Sequence, residues 1–349
     1  MHIQIKPIWF DSLGAKSSCT LVKTPDISVL IDPGVAVMQP SFPAPWHKKI
    51  YWLEKGELAI KRASKEANVI IISHYHYDHY SPDDMYIYKN KILFVKNPNE
   101  YINDSQRRRA EEFFDQICQT FGKVSLSEIL KERVYKTYID PMEKLPLAAK
   151  KDFGKYNPRR KELLSKGRRW FMRRANNWNN YPRIPESKFG RVSILYPEGK
   201  EFNFGKTKLR FTHALFHGIE FSRVGWVFST VIEYEKEKFI HSSDLDGPII
   251  EDYAEWLIRE NPDVLILDGP ATYLIPYMMN LINLKRAIEN ICKIVRRTDI
   301  KILILDHHLL REKKYKERLM KVYKTAKERN KKVISAAEYL GKEPIIEHL

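Results

Sequence analysis

Cysteine is scarce in this chain. Its 349 residues contain three, Cys19, Cys118 and Cys292, far apart and without CxxC spacing. Neither a disulfide framework nor a structural zinc knuckle is expected from them. Long apolar runs are missing too. The start, Met1-His2-Ile3-Gln4-Ile5-Lys6-Pro7, lacks the hydrophobic stretch of a signal peptide. The most apolar later stretch, 273–284, is too short to span a membrane and carries Pro276 and Asn280. These absences predict a soluble cytoplasmic protein with no membrane partner. Acidic charge is in deficit, with 44 Asp and Glu against 60 Lys and Arg, for a net +16. Much Lys, Arg and Glu with little Gln and Cys is also the composition of hyperthermophile proteins.

The chain is 43% hydrophobic and 30% charged, which supports a buried core and argues against wholesale disorder. Its length allows one large domain with an insertion, or two domains. The positive charge is concentrated. Residues 150–190 hold thirteen Lys and Arg against three acids, and residues 311–332 hold eleven against three. Such blocks bind phosphates or anionic substrates, or form a solvated lysine-rich surface.

The densest chemistry lies in His74-Tyr75-His76-Tyr77-Asp78-His79-Tyr80. It follows Asn68-Val69-Ile70-Ile71-Ile72-Ser73, an Ile-rich run that reads as a buried strand. His74 and His76, two apart in extended chain, point to the same side. Asp78 and His79 come after the chain has turned and can face a second cation, about 3.5–4 Å away in two-metal hydrolases.

This stretch resembles the His-x-His-x-Asp-His signature of the metallo-β-lactamase superfamily. The resemblance implies an α/β fold, a four-layer αβ/βα sandwich, with a metal site at one edge. It also implies further motifs in a fixed order. The first is a strand-end Asp, matched by Asp32 in Ile31-Asp32-Pro33-Gly34, expected to brace the His loop from outside the ligand set. The third is a strand-end His. His217, followed by Gly218 and then Ser222-Arg223-Val224-Gly225, is preferred, with His213 as the alternative or a nearby proton donor. The fourth is a bridging Asp, matched best by Asp244 after Ser243, with Asp246 as runner-up. The fifth is a strand-end His in Asp306-His307-His308-Leu309-Leu310-Arg311. Strand alternation does not choose between His307 and His308. The spacing of His307 to Arg311 is similar to that in ribonuclease Z and favours His307. In detail the chain resembles a family of archaeal proteins predicted to be metal-dependent hydrolases, from which no substrate carries over.

The rest of the chain frames these positions. Residues 3–10 and 19–31 read as two strands joined by a turn at 12–15, and 51–66 as an amphipathic helix. Strands are expected at 92–95, 191–195, 208–212, 239–242, 262–267, 302–306 and 332–334. Helices are expected after the Asn103 cap, over 281–297 and over 312–330, with capping boxes at Ser125 and Ser335. His47 reads as a surface residue. One hydrolase domain over 1–349 is expected, with a partly helical insertion at about 100–190. There Arg168, Arg169, Trp170, Arg173 and Arg174 either clamp phosphates and stack bases, or belong to a lid that buries its own Trp residues. Arg223 and Arg311 are further candidates for substrate contact.

The leading functional expectation is a dinuclear metal hydrolase. His74, His76 and His217 would hold one ion and Asp78, His79 and His307 the other, with Asp244 bridging. The N and O donors suit two Zn²⁺, and allow Fe or Mn. Asp78 would act at the reaction centre, and His213, His308 or His241 would protonate the leaving group. The substrate would be a phosphodiester, in nucleic acid, or a small ester, lactone or thioester. A nucleic-acid-binding protein with a structural metal site is the expectation from another class.

Overall fold

The computed structural model describes residues 2–349. Two seven-stranded sheets form its centre. The first is built from Gln4–Phe10 (β1), Ser18–Lys23 (β2), Ser28–Ile31 (β3), Val69–Ile72 (β4), Ile92–Val95 (β5), Ser187–Phe189 (β6) and Val192–Leu195 (β7). Their order is β1-β2-β3-β4-β5-β7-β6. The second contains Glu201–Phe204 (β8), Thr207–Phe211 (β9), Thr230–Tyr234 (β12), Glu237–His241 (β13), Val264–Asp268 (β14), Ile302–Asp306 (β15) and Lys332–Ile334 (β16). Their order is β16-β15-β14-β13-β12-β9-β8. Leu215–Phe216 (β10) and Trp226–Val227 (β11) pair separately.

Alternate residues explain the layering. Val69 and Ile71 of β4 face Val264 and Ile266 of β14 in the core between the sheets. Their neighbours Ile70 and Ile72 turn the other way, towards Ile60, Ala63 and Phe113 of the outer helices. Leu265 and Leu267 likewise meet Ala287, Ile291 and Ile294 of the helix Leu281–Arg297. Both faces of these strands are covered, which is why they read as continuous Ile, Leu and Val rather than as an alternating pattern. Each such side chain contributes about 1.5–3 kcal/mol by leaving water. The result is the four-layer αβ/βα sandwich of the metallo-β-lactamase fold. Among the described residues no helix is long and apolar enough to cross a membrane.

The expected strand 19–31 is in fact two. Thr24 Oγ1 accepts hydrogen bonds from the amides of Asp26 and Ile27 at 3.3 and 3.2 Å, and with Pro25 it turns the chain between β2 and β3. The helix expected at 51–66 begins earlier, at Trp46 after Pro45. The basic stretch 312–330 is two short helices, Tyr315–Arg318 and Met320–Glu328. Asn103 caps the helix Asp104–Ile117 through the Gln106 amide, and both capping boxes form.

Between β5 and β6 the chain carries a 24-residue helix, Asn157–Asn180. Its aromatic residues are used in packing. Phe171 and Trp178 are buried, and Trp178 Nε1 donates to the Ile102 carbonyl at 2.9 Å. Trp170 stacks on Trp226 with ring centres 5.3 Å apart and planes within 8°.

The parallel strands β3 and β4 of the first sheet and β13, β14 and β15 of the second end on polar residues. These ends are Asp32, Ser73-His74, Ser242–Asp244, Asp268 and Asp306-His307. The carboxyl ends of parallel strands are where α/β sheets place ligands.

Candidate metal centre

The loop after β4 brings His74 Nε2 to 3.0 Å from His76 Nδ1. It turns back at once, with the His79 amide donating to the His76 carbonyl at 2.8 Å. The loop Asp32–Gly34 presses against this turn. A Cβ on Gly34 would lie 2.2 Å from the Tyr80 nitrogen, so only glycine fits.

Asp244, buried after β13, stands at the junction. Its Oδ2 is 3.1 Å from His79 Nε2, 3.1 Å from His217 Nε2 and 3.5 Å from His74 Nε2. Its Oδ1 lies 3.7 Å from His307 Nε2, and Asp78 Oδ2 lies 3.7 Å from the same nitrogen. The side chains fall into a first set of His74, His76, His217 and Asp244, a second set of Asp78, His79 and His307, and two further groups that include His308 (Asp244, His307 and His308; Asp246, Asp268 and His308), each with its candidate ligand atoms within 4.8 Å of one another.

The donor set fits metal ions. His79 Nε2, His307 Nε2 and both Asp244 oxygens are buried without a hydrogen-bond partner. Buried polar atoms are ordinarily satisfied, and lone pairs converging on one space are what a cation takes up. Every candidate donor is N or O, with no thiolate. Electrostatics sort the groups. Burial and the neighbouring imidazoles hold His74 well below the histidine range, and burial and His217 take His76 down to about 3. Burial opposes charge on His79 as well, but the Asp244 and Asp32 carboxylates raise it. Burial also works against ionised Asp244 and Asp78, yet His79 and His307 hold both below the carboxylate range.

Outside the ligands, Asp32 is fully buried. Its Oδ2 faces His79 Nδ1 at 2.9 Å and accepts from Ser73 Oγ at 2.7 Å, while Oδ1 accepts from the Ser73 amide at 2.8 Å. Asp32, Ser243, Asp246 and His307 all have φ between 40° and 56°. Left-handed backbone in non-glycine residues costs on the order of 1–3 kcal/mol each, and here it gathers at the site.

Both fifth-motif histidines reach the cluster, in different surroundings. His307 Nε2 turns to the second set. His308 lies beside it, with Nδ1 3.2 Å from Asp246 and 3.4 Å from Asp268, and Nε2 3.8 Å from Asp244. His213 is not brought to the site. It is exposed and lies against Gly199, and the chain runs on through the two-residue β10 before it reaches His217. His241 is buried, with Nε2 3.0 Å from the Ser18 carbonyl. His47 is exposed.

The arginines divide. Arg311 is buried, with Nη2 3.5 Å from Asp78. Arg223 is exposed, and its carbonyl accepts from Asn103. Arg168 pairs with Asp140 at 2.5 Å, Arg174 pairs with Asp104, and Arg169 donates to Ser165 at 2.9 Å. Arg173 is exposed. None of these insertion residues belongs to either ligand set.

Sequence reasoning missed Asp11, Lys16, Gln106 and Asp268. Gln106 Nε2 lies 3.3 Å from His76 Nε2. Asp268 accepts from the amides of Leu245 and Asp246 at 2.9 and 2.7 Å. It ends a buried strand before Gly269-Pro270, and that strand-end Asp was the available signal. Asp11 and Lys16 carried none.

A family model described as metallo-β-lactamase superfamily matches residues 14–81. The UPF0282 protein of Methanopyrus kandleri is 31% identical over 98% of this chain and 95% of its own length. The UPF0282 protein of Methanocaldococcus jannaschii is 31% identical over 99% and 94%. Among solved structures the chain is similar to the metallo-beta-lactamase fold protein YhfI from Bacillus subtilis, with 13% identity, coverage of 95% and 94%, and a TM-score of 0.43. The chain belongs to the UPF0282 family, within the metallo-β-lactamase superfamily.

Proposed function

We propose that this protein is a dinuclear metal-dependent hydrolase acting on a phosphodiester. His74, His76 and His217 would hold one ion and Asp78, His79 and His307 the second, with Asp244 between them. Zn²⁺ suits these ligands, and Fe or Mn is compatible with them. Such a pair of ions, when bound, supplies a nucleophile at neutral pH and neutralises charge developing on the substrate. The chain's own contribution is placement. Asp32 fixes the ring of His79, and the Arg311 guanidinium beside Asp78 fixes that carboxylate. His308, with Nδ1 3.2 and 3.4 Å from Asp246 and Asp268, would pass a proton to the leaving oxygen. The observation that carries this reading is the Asp244 carboxylate, set between histidines of both ligand sets at 3.1 Å on each side.

A phosphodiester is favoured by cationic groups near the second set. These are the Arg311 guanidinium, with Nη2 3.5 Å from Asp78 Oδ2, and the half-buried Lys16 that follows the Asp11–Leu13 turn. A small ester, lactone or thioester is the second reading. It is favoured by the insertion, whose Arg168 and Arg174 are already ion-paired and whose Trp170 is stacked on Trp226. The test is hydrolysis of bis(4-nitrophenyl) phosphate and of a generic ester and lactone by the metal-loaded chain and by Asp244→Ala. Phosphodiester turnover that disappears in the variant supports the proposal. Turnover of the ester or lactone alone supports the second reading, and turnover unchanged in Asp244→Ala overturns the site.

A further inference from the structure

The turn after β1 holds a carboxylate that no superfamily motif matched here. Asp11 opens the turn Asp11–Leu13 and is 1% exposed. Its Oδ1 faces His307 Nδ1 at 2.9 Å and accepts from the Ser17 amide at 3.0 Å. Its Oδ2 accepts from Arg311 Nε at 2.5 Å. The same guanidinium donates from Nη1 to the Tyr273 hydroxyl at 3.0 Å and reaches Asp78 Oδ2 from Nη2 at 3.5 Å. Asp11 thus touches one ligand of the second set and reaches another through a single arginine. No comparable link runs from it to His74, His76 or His217 among the described residues.

We infer that Asp11 is the positioning residue that makes the second metal position, and only that one, competent to bind. The inference rests on the dinuclear reading above. A carboxylate is an acceptor only, so the nitrogen facing it must carry the hydrogen. That leaves Nε2 of neutral His307 with its lone pair directed at the second set. Arg311, anchored on the other oxygen, holds Asp78 turned inward. The arrangement mirrors Asp32 on His79, and both braces come from the first sheet. The local frame supports this role. Asp306 Oδ1 accepts from both the Ser12 amide and the His307 amide, at 3.1 and 2.7 Å, tying the turn to the end of β15. Removing Asp11 therefore leaves His307 in place but frees its ring to flip or change tautomer. The first position keeps all its ligands.

The experiment uses the full chain as the parent, Asp11→Ala and Arg311→Gln. The His307 ring is read by two-bond ¹H–¹⁵N NMR in metal-free protein at mildly alkaline pH. Stoichiometry and affinity for Zn²⁺ are read by titration against a chelating competitor. The parent should show hydrogen on Nδ1. Asp11→Ala should lose that single tautomer and bind its second Zn²⁺ roughly ten- to a hundredfold more weakly, with the first unchanged. Arg311→Gln should keep the tautomer and weaken the second ion less. The inference is overturned if Asp11→Ala keeps the Nδ1–H tautomer, or if it holds both ions as tightly as the parent. Loss of both ions together also overturns it. If the parent itself takes up no metal, the dinuclear reading falls, and the tautomer measurement still decides whether Asp11 orients the ring.

Discussion

Replacing Asp32 with Ala tests how the His loop is held. The carboxylate is fully buried and makes three close contacts, to the Ser73 amide, the Ser73 hydroxyl and His79 Nδ1, at 2.8, 2.7 and 2.9 Å. Hydrogen bonds to a charged group contribute roughly 1.5–3 kcal/mol each, and a buried donor left without a partner costs about 1–3 kcal/mol. Relief from burying the charge offsets part of this, which leaves a net loss of about 3–5 kcal/mol. At about 2 °C per kcal/mol for a chain of this size, Tm should fall by roughly 6–10 °C. Asp32→Asn keeps one acceptor oxygen, so it should fall less. Metal affinity should drop about ten- to a hundredfold, because the His79 ring is no longer fixed. Thermal unfolding followed by circular dichroism, together with competitive Zn²⁺ titration, measures both effects. An Asp32→Ala chain that melts within about 1 °C of the parent and binds metal equally well would refute the reasoning.

Three further outcomes follow from the geometry. His217→Ala should lose the first ion, whereas His213→Ala should keep both and hydrolyse substrate like the parent; metal analysis of the two variants separates them. Trp170→Ala should lower stability by about 2 kcal/mol, as a half-buried ring is lost from Trp226; if it instead left Tm unchanged and weakened single-stranded RNA binding by roughly 1–3 kcal/mol, the ring would be stacking bases. Burial holds the His241 pKa below the ordinary histidine range. Below about pH 6.5 the unfolded chain therefore takes a proton that the folded chain refuses, and this residue lowers stability by up to about 1.4 kcal/mol per pH unit. Denaturant midpoints of parent and His241→Gln should diverge only as pH falls below about 6.5, with the parent losing more.

Much of the fold, and most of the residues that gather at the candidate metal centre, were legible in the sequence, for identifiable reasons. Strands covered on both faces leave unbroken runs such as Val69–Ile72 and Val264–Leu267, which few other environments tolerate. Three histidines and an aspartate within six residues at a strand end have little other use. The choice between His307 and His308 was not legible, because φ of 40° at His307 breaks the alternation that would have decided it. Between His213 and His217 the sequence held no marker for β10, two residues long. Asp11 was invisible for a different reason. Its partner His307 is 296 residues away, and an Asp opening a turn looks like any other turn residue. The basic, aromatic helix 157–180 showed its composition but not its partners. Trp226 and Asp140, which occupy Trp170 and Arg168, come from elsewhere in the chain.

The most direct test of the account is the metal content of the purified, reconstituted protein, measured by inductively coupled plasma mass spectrometry alongside Asp244→Ala. The account predicts about two transition-metal ions per chain, removed by chelator together with hydrolysis, and clearly fewer in Asp244→Ala. A parent chain that holds no transition metal after reconstitution, or an Asp244→Ala chain that holds as much as the parent, would contradict it.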